Sequence, residues 1–261
     1  MKITSRNVNW IRAVIKKWFE KRLKQDNPDI LCIQETKAFE HQMPAEFKYL
    51  MRDYDYIRHA WERPGYAGTA IFYKKNLELI SAKNTFEWLP EFSEHGRVVE
   101  AKFKDFTLLN IYFPNWWTRA DGTEMLTYKL DFYTKFISYI NLLRDLWENI
   151  ITTWDFNICH RPIDIARPKE NEKSIWFLPI ERAKLDELEQ NGYTDVFRKI
   201  NPELADHYTR WSYRAWARPR NVGRRLDYFR VSENIISRIK KIEHQDQVLW
   251  SDHCPISLEL E

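Results

Sequence analysis

The order of short apolar stretches along the chain constrains its fold more strongly than any other feature. A strand-like segment over 2–8 is followed by an amphipathic helix over 12–25 and by the apolar segment DILCIQ at 29–34. A strand, a helix and a second strand in this order are typical of a β-α-β unit. The chain is therefore expected to begin with such a unit.

Short extended segments come next, and their spacing is typical of antiparallel neighbours. They cover 54–60, 69–73, 77–82, 98–103 and 107–113. A long helix is predicted over 125–146, because apolar and aromatic side chains recur there at a period close to 3.6. The remaining pattern is a strand at 148–153, a helix at 180–191 and strands near 226–231, 243–248 and 256–260. Such mixing of strands and helices predicts an α/β fold of two sheets packed together with helices outside.

Length and composition limit the domain organisation and the class of protein. At 261 residues without a linker or low-complexity tract, the chain is expected to form one domain over 1–261. The formal net charge is only +3, so any nucleic-acid surface must be a local patch. Three cysteines without a CxxC spacing disfavour a disulfide framework and a structural zinc site, and they indicate a reducing compartment. No apolar run predicts a signal peptide or a membrane span, so a cytoplasmic protein is expected.

Polar side chains recur where the predicted strands begin or end. They are Asn7, Glu35, Tyr112, Asn115, Asp155, Asn157, Asp227, Asp252 and His253. The ordinary use of Asp and Asn in turns explains any one of them. Together they favour one shared site, since the carboxylates of Glu35 and an Asp supply the hard oxygens that Mg²⁺ prefers. Another Asp is then available to deprotonate a water, and a His held by a further Asp to stabilise a phosphoryl oxygen, as metal-assisted phosphodiester hydrolysis requires.

Seven motifs occur in a fixed order along the chain. They are NVN at 7–9, PDILCIQETK at 28–37, GYAGTAIF at 65–72, NIYFPN at 110–115, DFN at 155–157, NVGRRLDYF at 221–229 and SDHCPI at 251–256. In this order they resemble the exonuclease III type of apurinic/apyrimidinic DNA endonucleases. The resemblance implies a four-layer α/β sandwich with two mixed sheets face to face and helices outside. It also implies Mg²⁺-dependent cleavage of the DNA backbone 5′ to an abasic site, with 3′–5′ exonuclease and 3′-end cleaning activities.

The same resemblance implies a set of metal-site residues. Glu35 matches the principal metal ligand, with Asp29 and Asp252 near the metal and Asn7 in support. Mg²⁺ is the implied ion, and Mn²⁺ is the alternative because both accept oxygen ligands.

Catalytic roles are implied for five further positions. Asp155 matches the residue that activates the attacking water, and Asn157 the residue that orients it. His253, hydrogen-bonded to Asp227, is expected to stabilise the pentacovalent phosphate, and Tyr112 to do so from another side. Without its motif, Tyr112 is equally well explained as a core aromatic residue.

Double-stranded DNA with abasic sites or 3′ ends is the implied partner, and a monomer is the expected state. Asn115 and Asn221 match residues that contact DNA, while Arg210, Arg224 and Leu226 match the pocket for the abasic sugar. The stretch RWSYRAWARPRNVGRR at 210–225 favours DNA contact independently, because its arginines are interleaved with aromatic residues. A solvated charged loop is the alternative interpretation of that stretch.

Two other functions are compatible with the fold. A nucleic-acid-binding relative that has lost catalysis is expected to lack Glu35, Asp155, Asp227 or His253, yet all four are present. A phosphatase of the same fold acting on inositol phosphates or sphingolipids shares a Glu and the terminal SDH. The NVGRRLDYF and NIYFPN stretches favour DNA as the substrate.

Glycine is scarce and tryptophan abundant, with 6 Gly and 12 Trp in the chain. Trp replaces the Gly of the resembled family at Trp10, Trp116, Trp154 and Trp250, and further candidates are Trp18, Trp88, Trp117, Trp147 and Trp176. Arg replaces an aromatic residue at Arg6, Arg22, Arg210 and Arg224. This one-way exchange leads to the hypothesis of a reassigned genetic code, with Gly codons translated as Trp and Trp codons as Arg. Rings at 154 and 250 are expected to lie where phosphate must sit, and so to impair the chain.

Overall fold

The computed structural model describes residues 1–17, 19–60, 65–86, 89–114, 123–146 and 148–261. Its strands are β1 (Lys2–Asn7), β2 (Ile30–Gln34), β3 (Tyr54–His59), β4 (Thr69–Lys74), β5 (Leu79–Lys83), β6 (Val98–Phe103), β7 (Thr107–Tyr112), β8 (Ile150–Asp155), β9 (Tyr193–Asp195), β10 (Arg210–Trp211), β11 (Gly223–Arg224), β12 (Asp227–Ser232), β13 (Ile239–His244) and β14 (Ile256–Leu260). Its helices are α1 (Ile11–Lys17), α2 (Phe19–Asp26), α3 (Phe47–Asp53), α4 (Pro90–Glu94), α5 (Thr123–Asp145), α6 (Pro168–Asn171), α7 (Pro179–Gln190), α8 (Val196–Ile200) and α9 (Glu233–Ile236). Short 3₁₀ helices cover Glu40–Gln42 and Pro162–Asp164.

Two six-stranded sheets contain most of these strands. The first sheet has the order β13-β14-β1-β2-β4-β3, and the second has the order β5-β6-β7-β8-β12-β9. Both sheets are mixed, because β1 and β2 run parallel, as do β7 and β8, while their other neighbours run antiparallel. Strands β10 and β11 form a separate two-stranded ribbon.

Three hydrophobic clusters show that the elements stack in four layers. The cluster between the sheets contains Ile3 of β1 and Leu108 of β7. The outer face of the second sheet packs against α5 and α7, with Phe136 at its centre. The outer face of the first sheet packs Leu31 of β2 against Ile11 of α1. The prediction of a four-layer α/β sandwich is confirmed.

Strand β8 carries a predicted site residue and a core residue on its two opposite faces. Side chains alternate between the two faces of a strand. Ile151 lies in the cluster between the sheets, and Trp154 lies in the cluster beneath α5. Asp155 has the same parity as Ile151, so its carboxylate faces the space between the sheets, while the indole of Trp154 faces away from it.

Helices α1 and α2 cover the helix expected over 12–25, and residue 18 lies outside the described residues. Two strand boundaries differ from the sequence prediction. Strand β8 continues to Asp155, two residues beyond its predicted end. The strand expected over 243–248 is β13 at Ile239–His244, because Ile239 and Ile242 pack against the cluster between the sheets. The chain turns just after it, where the Val248 amide donates to the Gln245 carbonyl.

Candidate active site

The candidate site lies between the two sheets, at the edge where β1, β2, β7 and β8 end. Register accounts for its central row: Tyr112 on β7 and Asp227 on β12 are the strand partners on either side of Asp155. Strand β14 runs antiparallel to β1, so the residues just before β14 reach the same edge. The sheet topology therefore brings together side chains that are more than 200 residues apart in sequence.

Asp155, Asp227 and His253 form a buried cluster at this edge. The Nδ1 atom of His253 lies 2.8 Å from Oδ2 of Asp227, and its Nε2 atom lies 3.7 Å from Oδ2 of Asp155. Ligand atoms of the three residues lie within 4.8 Å of one another, close enough to share a metal ion. The sequence prediction that His253 is hydrogen-bonded to Asp227 agrees with this geometry.

Burial and mutual charge shift the pKa values in this cluster. Burial, together with the neighbouring carboxylates of Asp227 and Glu35, outweighs the charge of His253 and raises the pKa of Asp155 to about 7. Burial opposes charge on the His253 imidazole, but the carboxylates of Asp227 and Asp155 prevail and raise its pKa to about 10. Near neutral pH the cluster thus contains a cationic imidazole beside a carboxylate that can exchange a proton.

Asn7 connects this cluster to Glu35. Its Nδ2 atom donates to Oε1 of Glu35 at 2.7 Å and to Oδ2 of Asp155 at 2.9 Å. Glu35 has a φ of +55°, which an L-residue rarely adopts, and Oε2 of Glu35 forms an ion pair with Nζ of Lys37 at 2.5 Å. The Glu35 carboxylate is thus held against the inter-sheet space from two sides.

Asp252 approaches the same region through Asn9. The Nζ atom of Lys37 donates to Oδ1 of Asn9 at 2.8 Å, and Nδ2 of Asn9 donates to Oδ1 of Asp252 at 3.3 Å. Burial alone would raise the pKa of Asp252, but the positive charges of His253 and Arg210 prevail and lower it. Glu35 and Asp252 therefore present carboxylate oxygens on one side of the cluster, a donor set that suits a hard divalent cation.

Asp29 does not belong to this site, so the prediction that it lies near the metal is wrong. It precedes β2 whereas Glu35 follows it, and five extended residues span about 17 Å. Its carboxylate accepts from the Lys2 amide at 2.8 Å and from Nζ of Lys74 at 2.9 Å. Asp29 therefore anchors the start of β2 at the opposite end of the sheet.

Asn157 and Tyr112 border the cluster. The Asn157 amide donates to Oδ1 of Asp155 at 3.0 Å, and its Nδ2 atom donates to the Phe113 carbonyl at 3.3 Å. Tyr112 is buried under the guanidinium of Arg97, 5.1 Å from the ring centroid. Burial and the charge of Glu35 raise the pKa of Tyr112 well above its usual value, so its phenol remains protonated at neutral pH.

The predicted sugar-pocket residues meet around Trp176. Arg210 and Arg224 are strand partners in the β10-β11 ribbon, and their guanidinium groups lie 5.7 and 4.6 Å from the Trp176 ring. Leu226 is buried in the cluster against which Trp176 packs. The Trp211 amide donates to the Asp252 carbonyl, so the ribbon lies directly beside the carboxylates.

The two predicted DNA-contacting asparagines have different positions. Asn221 lies at the surface in the loop that joins β10 and β11, with Oδ1 accepting from Nε1 of Trp211 at 3.0 Å. Asn115 lies outside the described residues.

The expectation that Trp154 and Trp250 block the site is wrong. Trp154 is fully buried and stacks against Phe113 and Phe156 in the cluster beneath α5. Trp250 packs on the outer face of the first sheet, with the Arg6 guanidinium 4.9 Å from its ring. Neither ring enters the space between the sheets.

Three site residues were missed by sequence reasoning. Asn9 and Lys37 connect Glu35 to Asp252, and Arg97 covers Tyr112. Asn9 and Lys37 stand in the NVN and PDILCIQETK motifs, which was the available signal. Arg97 lies outside every motif, and its role follows from the pairing of β6 with β7.

Two mixed sheets that enclose buried carboxylates and a charged histidine define a metal-assisted hydrolase of phosphate esters. A sequence profile of the Endonuclease/Exonuclease/phosphatase family matches residues 7–253, and the chain belongs to that family. Among the described residues, no helix combines the length and apolarity that crossing a membrane requires.

Similar proteins extend over the full chain. An exodeoxyribonuclease of Bacillus subtilis is 35% identical over 99% of this chain and 98% of its own length. The DNA repair nuclease APEX1 of Danio rerio is 36% identical over 100% of this chain and 82% of its own length. An AP endonuclease from Archaeoglobus fulgidus is 26% identical with a TM-score of 0.87, covering 100% of this chain and 99% of its own. A 3′-5′ exonuclease from Neisseria meningitidis is 25% identical with a TM-score of 0.88, covering 100% of each chain.

Proposed function

We propose that this chain is a DNA repair nuclease that cleaves the DNA backbone on the 5′ side of abasic sites, with Mg²⁺ as its cofactor. Exonuclease action from 3′ ends and 3′-end cleaning are proposed as further activities of the same site. The observation that carries the proposal is the buried cluster of Asp155, Asp227 and His253 beside Glu35. The names of the similar exodeoxyribonuclease, APEX1 and AP endonuclease support the choice of DNA. The structure of a similar 3′ phosphatase from Neisseria bound to a product DNA hairpin supports the 3′-end activity.

Asp155 is the proposed general base. A carboxylate with a pKa of about 7 is basic enough to take a proton from water near neutral pH, while a carboxylate with an ordinary pKa is a much weaker base. Asn157 stands two residues further on and its amide is bonded to the same carboxylate, so it is placed to orient the attacking water. In this scheme the water attacks phosphorus while its proton passes to Oδ of Asp155, the P–O3′ bond breaks, and the departing 3′ oxygen takes up a proton from solvent to become the 3′-hydroxyl.

His253 and Tyr112 are the proposed stabilisers of the charge that develops on the phosphate. The imidazole is cationic at neutral pH because the negative charges of Asp227 and Asp155 stabilise its protonated form. Tyr112 retains its phenolic proton and can donate a hydrogen bond to a phosphoryl oxygen. Such groups stabilise the transition state most effectively when they are fixed and buried, as these two are.

Glu35 and Asp252, with Asn7 in support, are the residues proposed to hold Mg²⁺, and Mn²⁺ is the alternative ion. When bound, the ion supplies positive charge that neutralises the phosphoryl oxygens. Lys37 and Asn9 hold the two carboxylates in place from the side of the β1 and β2 loops.

The surface around Trp176 is the proposed pocket for the abasic sugar, and the chain is proposed to act as a monomer on duplex DNA. Leu226 and Trp176 form an apolar wall, and Arg210, whose guanidinium lies 5.7 Å from the Trp176 ring, pairs through Nε with Oδ2 of Asp252 at 3.4 Å. A sugar that carries no base can be selected there by shape, because a nucleotide with its base is too large. Asn115 and Asn221 remain proposed DNA contacts.

A substrate panel tests the proposed function. The chain is incubated with a duplex that carries one abasic-site analogue, with the undamaged duplex, with a duplex that ends in a 3′-phosphate and with inositol phosphates, each in Mg²⁺ and in EDTA. Cleavage of the abasic duplex and release of the 3′-phosphate, both abolished by EDTA, are expected. Hydrolysis of inositol phosphates without action on DNA would overturn the proposal in favour of a phosphatase of the same fold.

A further inference from the structure

Two buried side chains of α5 hold the peptide groups that follow Asp155. The Nζ atom of Lys129 donates to the carbonyl of Asn157 at 2.8 Å. The hydroxyl of Tyr133, one helical turn further along α5, donates to the carbonyl of Phe156 at 2.5 Å. Both side chains are fully buried, so these donors are shielded from water.

Lys129 is itself held by a buried partner. Its Nζ atom lies 2.6 Å from Oε1 of Glu181 on α7, and the two side chains are 1% and 0% exposed. The other Glu181 oxygen accepts from the Leu178 amide at 3.1 Å, which fixes the carboxylate at the start of α7. Lys129 therefore has one defined position, between α7 and the Asn157 carbonyl.

The Asn157 backbone needs such a restraint. Its φ of +54° lies in the left-handed region, which Asn adopts more readily than most L-residues but in which the free backbone would not stay fixed. The carbonyl bond from Lys129 fixes the peptide after Asn157, while the bonds to Asp155 and Phe113 fix its amide and side chain. With all three bonds in place, the Asn157 side chain has a single orientation relative to the Asp155 carboxylate.

We infer that Lys129 is a positioning residue for the hydrolytic reaction, which acts by holding Asn157 in its left-handed conformation beside Asp155. The inference rests on the proposed function for its kinetic consequence. The ammonium group of Lys129 is fully buried and bonded to Glu181 and the Asn157 carbonyl, so Lys129 is inferred to act through Asn157 rather than by touching the substrate. Its loss is expected to disturb the chemical step and to leave DNA binding unchanged.

Two variants test the inference. Lys129→Met keeps the length of the side chain and removes the donor, but it leaves the Glu181 carboxylate buried without its partner. Lys129→Met combined with Glu181→Gln removes the buried charge as well, and the Gln carbonyl can still accept from the Leu178 amide. Leu143→Ala is the matched control, because it trims a buried side chain of the same helix about 21 Å away along the axis.

Activity and hydrogen exchange are both measured. On an abasic duplex at a temperature where every variant is folded, kcat of both Lys129 variants is expected to fall by about 10- to 100-fold. KM and the Kd for the duplex in EDTA are expected to stay within about threefold. Without any substrate, the amide of Asn157 is expected to exchange with deuterium at least about tenfold faster in both variants, and at an unchanged rate in Leu143→Ala.

The outcomes separate the two proposals. If the unsubstituted chain does not cleave the abasic duplex, the proposed function fails, and the exchange rate alone decides the role of Lys129. Equal kcat and equal Asn157 exchange in the double variant and the unsubstituted chain would overturn the inference. A fall in kcat that the Leu143→Ala control shares would also overturn it, since general loss of packing would then be the cause.

Discussion

His253 depends on Asp227 for its charge and its orientation. Asp227→Asn removes the carboxylate 2.8 Å from Nδ1 of His253. Because this carboxylate contributes most to the raised pKa of the imidazole, that pKa is expected to fall. We expect kcat on an abasic duplex to fall by about 100-fold. Asp186→Asn is the matched control, because Asp186 contacts the buried His160 at the same 2.8 Å distance on the far side of β12. A similar loss in both variants would show that the substitution acts through stability.

Trp10 is strained where it stands. Its φ of +89° favours glycine, and its side chain is 41% exposed, so the ring contributes little packing. Trp10→Gly is expected to raise the free energy of unfolding by about 1 kcal/mol, as measured by urea denaturation. Trp154→Gly is expected to lower it by about 4 kcal/mol, because the fully buried indole leaves a cavity.

The structure favours the reassigned-code hypothesis at some positions and not at others. A left-handed backbone at Trp10 and at Trp176 is what positions built for glycine adopt. Arg6 is buried, and its Nε and one terminal nitrogen find no hydrogen-bond partner among the described residues, which suits an aromatic residue better than a cation. Trp154, in contrast, is accommodated in the core. The codons decide the hypothesis: UGG at the tryptophans and AGA or AGG at the arginines would refute it.

The β10-β11 ribbon is the element expected to control lesion selectivity. Burial lowers the pKa of Arg224, and its Nε atom has no hydrogen-bond partner in the part of the chain that the structure describes, so the guanidinium is a poor wall for an apolar sugar. Arg210→Trp together with Arg224→Trp is expected to raise the ratio of kcat/KM on abasic over undamaged duplex by about tenfold, or 1.4 kcal/mol. An unchanged ratio would place the two residues outside the pocket.

The 3₁₀ helix at Pro162–Asp164 is tied to α8 and to the segment between β11 and β12 by a buried ion-pair cluster. Although burial opposes it, the guanidinium groups of Arg225, at 2.8 Å, and Arg198, at 2.6 Å, lower the pKa of Asp164. A carboxyl whose pKa is lower in the folded state stabilises the fold above its unfolded pKa of about 4, and this stability is lost as the pH falls further. We therefore expect the free energy of unfolding to decline below about pH 4.

Asp164→Asn tests this cluster. The variant is expected to lose about 3 kcal/mol at pH 7 and to show a smaller further loss at low pH, in urea denaturation at a series of pH values. Asp145→Asn is the control, because Asp145 pairs with Arg144 at the surface and contributes little. Parallel pH curves for Asp164→Asn and the unsubstituted chain would contradict the role of Asp164.

At the scale of the whole molecule, the layers followed from the sequence but many contacts did not. Apolar periodicity predicted the strands and α5, since these patterns are local. The ordered motifs placed Glu35, Asp155 and His253 at strand ends, where the structure brings them together. Lys129 could not be predicted, because a charged residue on an apolar helix face acquires meaning only when α7 and the Asn157 carbonyl surround it.

The predictions for Asp29 and Trp154 were wrong for a similar reason. Asp29 lies within the PDILCIQETK motif and Trp154 directly precedes the DFN motif. Both were predicted to lie at the site because these motifs contain site residues. A strand five residues long carries Asp29 to the opposite end of the sheet from Glu35, and the alternation of side chains turns Trp154 away from Asp155. The end of a strand at which a residue lies, and the face to which its side chain points, can be stated only when the limits of the strand are known. Strand β8 ends two residues later than predicted.

The position and chemistry of the break in an abasic duplex test the central claim most directly. A duplex with one abasic-site analogue, labelled at its 5′ end, is incubated with the chain in Mg²⁺, and the product is offered to a DNA polymerase. We expect a break immediately 5′ to the abasic site that leaves a 3′-hydroxyl and supports extension, and no break with Asp155→Asn. A break on the 3′ side, an end that cannot be extended, or full activity of Asp155→Asn would contradict hydrolysis at this site.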